Sequence, residues 1–333
     1  MRRSWALSYS IILSAVFSLS LLYSTLELPS ILNRFMLEFF PDYGFAWEEA
    51  EQFINAVRPL SYFCLAATMT LIMLGFTLNK SKLSFLGSLT LFLPTFSYFA
   101  FTMFFLAGIG ILRIIWLPFI ELFPGASFYE KTYAASSFLE LGDIVYLPYD
   151  AVRFLFTTTI NEFAYSNGLD KILFQAIISV GATLFFASCA TWFYTRFQGS
   201  GFAHLFIYKY SRHPQYLSFL IWSYGLLIYD KYVFTPPRGG YFAPPPLLWL
   251  ISAFLLIGIA LQEENFMVKK YGKEYDNYRF KTPFMLPLPK SIGEVLKSPL
   301  KLLFNKNYPE KKREILTVLT IYFLIILAAS LLY

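Results

Sequence analysis

Ser211-Arg212-His213-Pro214-Gln215-Tyr216 stands at the head of an apolar run in a chain of 333 residues, of which 57% are hydrophobic, 20% aromatic and only 14% charged. A guanidinium, an imidazole and a hydroxyl in such a place carry a desolvation cost unless something polar faces them. Further along, Glu263-Glu264 close a second apolar run. Polar groups of opposite sign at the ends of two neighbouring segments frame a place for a small charged ligand. Pro214 fixes how the stretch folds. Its ring presets φ and it lacks an N–H, so it opens a helix at the first turn, and the residues before it are loop. The unpaired N–H groups of that turn favour an anion.

Working outward, seven stretches are apolar enough, and long or nearly long enough, to cross a hydrocarbon core about 30 Å thick: Trp5 to Leu26, Pro59 to Asn79, Leu83 to Leu112, Ile172 to Thr195, Tyr216 to Tyr229, Pro246 to Leu261, and Ile315 to Tyr333. The fifth and sixth are short and read as a hairpin, turned by Thr235-Pro236-Pro237-Arg238-Gly239-Gly240 and Pro244-Pro245-Pro246. The sequence therefore predicts an all-α, polytopic, multi-pass membrane protein with about seven transmembrane helices. Arg2 and Arg3 precede the first run, but that run is about twice the length of a signal-peptide core and no small-residue cleavage site follows it.

A cytoplasmic N-terminus places 19 of the 27 Lys and Arg on one side, among them the twelve from Lys269 to Arg313, and 14 of the 21 acidic residues on the other. That follows the positive-inside rule. The net charge of +6 is then a cytoplasmic-face property, suited to anionic lipid headgroups through residues such as Lys269, Lys270 and Lys273. No basic cluster interleaved with aromatics points to nucleic acid. Cys64 and Cys189 fall in separate helices, in no ligand spacing, and read as packing residues with no metal site. Residues 27 to 58 form an acidic outer loop. Residues 113 to 171 form a longer one with amphipathic helices, read as an interfacial aromatic belt or as a lid over a lipid-entry groove.

Ionisable residues lie almost entirely at segment ends, which disfavours transport through a charged relay at mid-depth. The polar chemistry gathers in Arg196, His204, Lys209, Arg212, His213, Glu263 and Glu264. Arg212 and His213 supply donors for an anion, and Glu263 and Glu264 a site for a cation. Glu263 is the preferred partner, with Glu264 open to a solvent-facing role. Aromatic faces from Tyr208, Tyr210 and Tyr216 suit a cationic sulfonium.

Tyr208-Lys209-Tyr210-Ser211-Arg212-His213-Pro214-Gln215-Tyr216, followed by Glu263-Glu264, Tyr271-Gly272, Tyr275, Tyr278 and Pro283, resembles the C-terminal signature of the integral-membrane methyltransferases. These include isoprenylcysteine carboxyl methyltransferases and phospholipid N-methyltransferases. The resemblance covers about 200 to 290 and implies S-adenosylmethionine bound at the cytoplasmic end, contacted by Tyr208, His213, Pro214, Gln215, Tyr216 and Glu263, with Glu264 beside them. It implies methyl transfer to an O, N or S nucleophile on a hydrophobic or lipid-borne substrate from the bilayer. Arg212 then holds the cofactor carboxylate and Lys281 orients an anionic acceptor. Ile259 stands where isoprenylcysteine enzymes carry an Arg, Lys281 where they carry another, Ser218 where Gly is usual, and Phe206-Ile207 where Gly-Pro is common. The cofactor half is matched and the acceptor is left open.

The domain organisation expected is 1 to 170 as accessory helices and outer loop, 171 to 290 as the catalytic domain, and 291 to 333 as a basic linker and last helix. Two other functions remain. Arg-His-Pro-x-Tyr and Lys270-Tyr271-Gly272-Lys273 also resemble the NADPH-dependent membrane sterol reductases, although paired carboxylates repel a phosphate-rich dinucleotide. A non-catalytic lipid-binding or scaffold protein is the third reading. Oligomeric state is not legible.

Overall fold

The computed structural model describes residues 3–39, 47–89, 117–160, 168–199, 201–233 and 246–333. Among these residues every regular element is helical. Among the described residues five helices are long and apolar enough to cross a membrane: Ser4–Glu27, Gln52–Thr77, Leu169–Phe197, Pro246–Tyr271 and Lys312–Ser330. They make the chain an integral membrane protein by length and composition. Two of the seven expected spans stand differently. The segment 83 to 112 lies mostly outside the described residues. The segment 216 to 229 falls in a helix, Pro214–Ile228, of 15 residues, which rises roughly 22 Å at 1.5 Å per residue. A π turn, Tyr229–Val233, continues it. The proline-rich turn after it also lies outside the described residues.

The described residues form two compact units. The first comprises Met1–Leu22, Gln175–Tyr224 and Leu256–Ile325. In it the 169–197 and 214–228 helices touch backbone to backbone: a Cβ on Gly181 would lie 3.0 Å from the Trp222 nitrogen. Small residues at a helix contact permit this approach in membrane proteins. Trp222, Leu256, Ile259 and Ala260 are buried around it. The first helix, Arg3–Leu22, buries Ala6, Ser10, Ser14 and Ser18, one residue every four. Ser10 and Ser14 satisfy their hydroxyls on the carbonyls one turn back, whereas Ser18 Oγ is buried with no hydrogen-bond partner among the described residues.

The second unit comprises Tyr23–Phe174, Gly225–Leu255 and Ile326–Tyr333. Helices Trp47–Thr77 and Ser81–Leu89 form a tight hairpin, with Ser84 Oγ donating to the Ile72 carbonyl at 3.2 Å. The expected helices within 113 to 171 are present as Phe128–Leu139 and Leu147–Ile160. Their polar groups converge on aspartates. Tyr232 and Tyr333 donate to the two oxygens of Asp150 at 2.7 and 2.5 Å. Tyr149 donates to Asp170 at 2.6 Å, Arg153 pairs with the same carboxylate at 3.0 Å, and Ser330 donates to Asp143 at 2.5 Å. The hydrogen bond to Asp150 pushes the Tyr333 hydroxyl up to about 12. Burial, then the bond to Asp170, raises Tyr149 as well. These phenols stay neutral donors, and the chain end is stapled to the 147–160 helix.

Candidate functional site

Pro214 is the first residue of its helix. The stretch before it is a non-helical strip that bends at Arg212. Arg212 N–H donates to the Pro283 carbonyl at 3.0 Å and His213 N–H to the Phe284 carbonyl at 3.2 Å. The spacing between Glu264 and Pro283 follows from this. The 246–271 helix must end, turn and return along a second helix, Lys273–Lys281, to lay 283–284 beside 212–213. The turn is made at Gly272, whose φ of +56° lies where side chains other than glycine are strained.

The motif tyrosines secure that return. Tyr271, Tyr275 and Tyr278 converge on Phe202, their ring centroids 5.3, 5.3 and 5.4 Å from its ring. Tyr271 hydroxyl donates to the Gly201 carbonyl and Tyr278 hydroxyl to the Tyr208 carbonyl, both at 2.6 Å. Burial raises Tyr208, Tyr275 and Tyr278 above the ordinary phenol value. All three remain neutral at physiological pH, and the hydrogen bonds of Tyr271 and Tyr278 brace the loop that carries the strip.

At the centre, Glu264 Oε1 lies 3.1 Å from Arg212 Nε and 3.2 Å from His213 Nε2. The three are 2%, 7% and 8% exposed. The solvent-facing role left open for Glu264 is corrected here: Glu264 is buried and is the carboxylate that meets Arg212 and His213. Glu264 continues the buried row of Leu256 and Ala260 at four-residue spacing, while Glu263, one turn after the buried Ile259, lies only partly covered. Glu263, half-buried, accepts instead from the Tyr216 hydroxyl at 2.8 Å. Since a carboxylate only accepts, His213 carries its proton on Nε2.

The cluster is not saturated. Arg212 Nε faces Glu264 without hydrogen-bond alignment, and Arg212 Nη1 and Ser211 Oγ are buried with no hydrogen-bond partner among the described residues. An unsatisfied buried donor costs about 1–3 kcal/mol, more where it is charged. Two adjacent ones, at a helix start, suit an anionic group. Ser211 stood in the stretch that the sequence singles out, but the covering residues Phe284 and Tyr308 did not stand out. Phe284 packs its ring 5.1 Å from that of His213, and only knowledge of the return strip could have flagged it.

The other expected site residues sit apart from this centre. Gln215 donates to Cys189 Sγ at 3.7 Å. Lys281 lines a cavity of about 400 Å³ with Phe202, His204, Lys209, Glu274, Tyr278 and Thr282. Arg212, His213 and the two glutamates are not among the residues lining it. Tyr208 belongs to the short helix Phe206–Lys209 that leads into the strip.

Fold and site together define a helical membrane protein with a buried, incompletely satisfied charge cluster at a helix start. Over one stretch the chain is similar to a methyltransferase, the protein-S-isoprenylcysteine O-methyltransferase of Schizosaccharomyces pombe, with 33% identity over 82 residues. The stretch is 25% of this chain and 31% of that protein, so the chain spans about a third of the relative's length. No family model matches the sequence. No solved structure matches it.

Proposed function

We propose that this chain is an S-adenosylmethionine-dependent methyltransferase acting on a hydrophobic or lipid-borne O, N or S acceptor, with its site at the cytoplasmic face. One observation carries the proposal. The buried Arg212 Nη1 and Ser211 Oγ have donors to spare beside the first turn of the 214–228 helix, which is a receptor for a carboxylate. Glu263, half-buried and bonded to Tyr216, offers an acceptor for an ammonium or a ribose hydroxyl. The residues present therefore fit the group.

When bound, S-adenosylmethionine supplies a methyl group on a positively charged sulfur. The chain's own task is placement. Glu264 balances Arg212 and fixes the His213 ring, so the guanidinium keeps one orientation in a site closed to water. Rigid in-line alignment of this kind supplies several powers of ten in rate. Lys281, on the wall of the 400 Å³ cavity, orients an anionic end of the acceptor. Ile259 is 0% exposed, so no cation grips an acceptor from the position where isoprenylcysteine enzymes carry an Arg. In this reading 171 to 290 is the catalytic domain, flanked by accessory helices, and the exposed Lys269 and Lys270 meet anionic headgroups.

The test is to incubate membranes containing the protein with methyl-labelled donor and total lipid, then extract and separate the lipids. A labelled hydrophobic product that disappears with Arg212→Lys is expected. Absence of product, together with retention of NADPH in a parallel binding arm, would transfer the site to a reductase.

A further inference from the structure

Beyond the stretch that resembles methyltransferases, residues 290 to 311 form two short helices, Lys290–Leu296 and Ser298–Phe304, and a loop. This segment is tied down at Leu296 and at its C-terminal end. Tyr322 hydroxyl donates to the Leu296 carbonyl at 2.8 Å. Glu314 accepts from the N–H groups of Glu310 and Lys311 at 2.7 and 3.1 Å. Between the anchors stands Tyr308, and its ring meets three cations. The Arg279 guanidinium carbon lies 4.1 Å from the ring centroid, Lys297 Nζ 5.6 Å, and the Arg212 guanidinium carbon 5.7 Å. Phe284 offers Arg212 a second ring, also at 5.7 Å.

We propose that residues 290–311 are a strap over the Arg212 cluster and that Tyr308 is its positioning residue, holding the guanidinium by a ring face so that its N–H groups stay available to an anionic ligand. The chemistry of the contact supports this. A carboxylate on the strap would have saturated Arg212. The strap's acids are instead occupied by its own lysines: Glu294 with Lys297 at 3.2 Å and with Lys301, and Glu310 with Lys306 at 2.6 Å. Tyr308 turns its hydroxyl away, toward the Arg279 carbonyl at 3.3 Å. What reaches Arg212 from the strap is a π face, which attracts a cation without consuming its hydrogen-bond donors.

The ligand half of this proposal rests on the methyl-donor reading; the strap half does not. The experiment therefore has two arms on the full chain in detergent or nanodiscs. In the first, S-adenosylmethionine binding is measured for wild type, Tyr308→Phe and Tyr308→Leu. In the second, amide hydrogen exchange at Arg212 and His213 is followed without ligand. Tyr308→Phe should behave as wild type in both arms. Tyr308→Leu should bind about tenfold more weakly and exchange faster at those two amides, with its thermal midpoint unchanged. Wild-type behaviour of Tyr308→Leu in both arms would overturn the strap. Failure of the wild type to bind the donor would sink the methyl-donor reading, and the exchange arm alone would then decide the strap. Should Tyr308→Leu not fold, Arg279→Gln removes the nearest cation and should give the same changes to a smaller degree; no change there would count against the proposal equally.

Discussion

Two clusters of carboxylates organise the two units, and they are satisfied in opposite ways. Around Asp143, Asp150 and Asp170 the partners are mostly hydroxyls, and the bonds are short, 2.5 to 2.7 Å. Around Glu264 the partners are a guanidinium and an imidazole at 3.1 and 3.2 Å, and donors remain unused at Arg212 and Ser211. A saturated cluster has nothing left to offer a ligand and acts as a staple. An unsaturated one stores a desolvation cost that a ligand can relieve. The difference separates structure from site within one chain.

The sharpest way to break the comparison is to remove each central carboxylate. Glu264→Ala leaves Arg212 and His213 buried without a counter-charge and should cost roughly 3–5 kcal/mol, seen as a large fall in the thermal midpoint. Asp150→Ala removes an acceptor from Tyr232 and Tyr333, whose hydroxyls are less deeply committed, and should cost about 1–3 kcal/mol. Equal losses would erase the distinction. Next in size is Gly181→Val: with a Cβ already 3.0 Å from the Trp222 nitrogen, a branched side chain must push the 169–197 and 214–228 helices away from each other, at about 1–3 kcal/mol. Its thermal midpoint, set beside that of Gly181→Ala, reads the effect.

Much of the fold was legible because the bilayer makes strict demands. Long apolar runs must be helices, and Pro214 announced a helix start through the properties of its own backbone. Register was harder to see. Glu263 and Glu264 are adjacent, each follows a buried residue one turn earlier, Ile259 and Ala260, and spacing alone does not decide which faces inward. Tyr308 was invisible for another reason. It lies 95 residues beyond His213, and no local pattern reports a contact formed by chain return. The motif tyrosines were read as elements of a cofactor signature; the structure gives Tyr271 and Tyr278 bracing hydrogen bonds to backbone carbonyls.

Smaller effects sharpen the same contrast. Tyr278→Phe deletes one hydrogen bond to the Tyr208 carbonyl and should cost about 0.5–1.5 kcal/mol, with hydrogen exchange rising in 206–213 before it rises elsewhere. The smallest concerns the strap. Hydrogen bonds from Lys301 and then Lys297 lower the Glu294 carboxyl below its ordinary value of 4.5. A lowered folded-state pKa contributes stability that is present above the unfolded value and lost as pH falls through the folded one. Exchange in 290–304 should therefore rise only on the acid side of pH 4.5, and Glu294→Gln should abolish that dependence.

The most direct test is a calorimetric titration of S-adenosylmethionine into three proteins: wild type, Arg212→Lys, which keeps the charge but loses the fork of donors, and Asp150→Asn, which weakens only the staple. Binding by wild type and Asp150→Asn alike, with at least a tenfold loss in Arg212→Lys at unchanged thermal stability, is the predicted result. Equal affinity of Arg212→Lys and wild type, or no binding by any of the three, would contradict the claim that the unsatisfied donors beside Pro214 are there to receive a ligand.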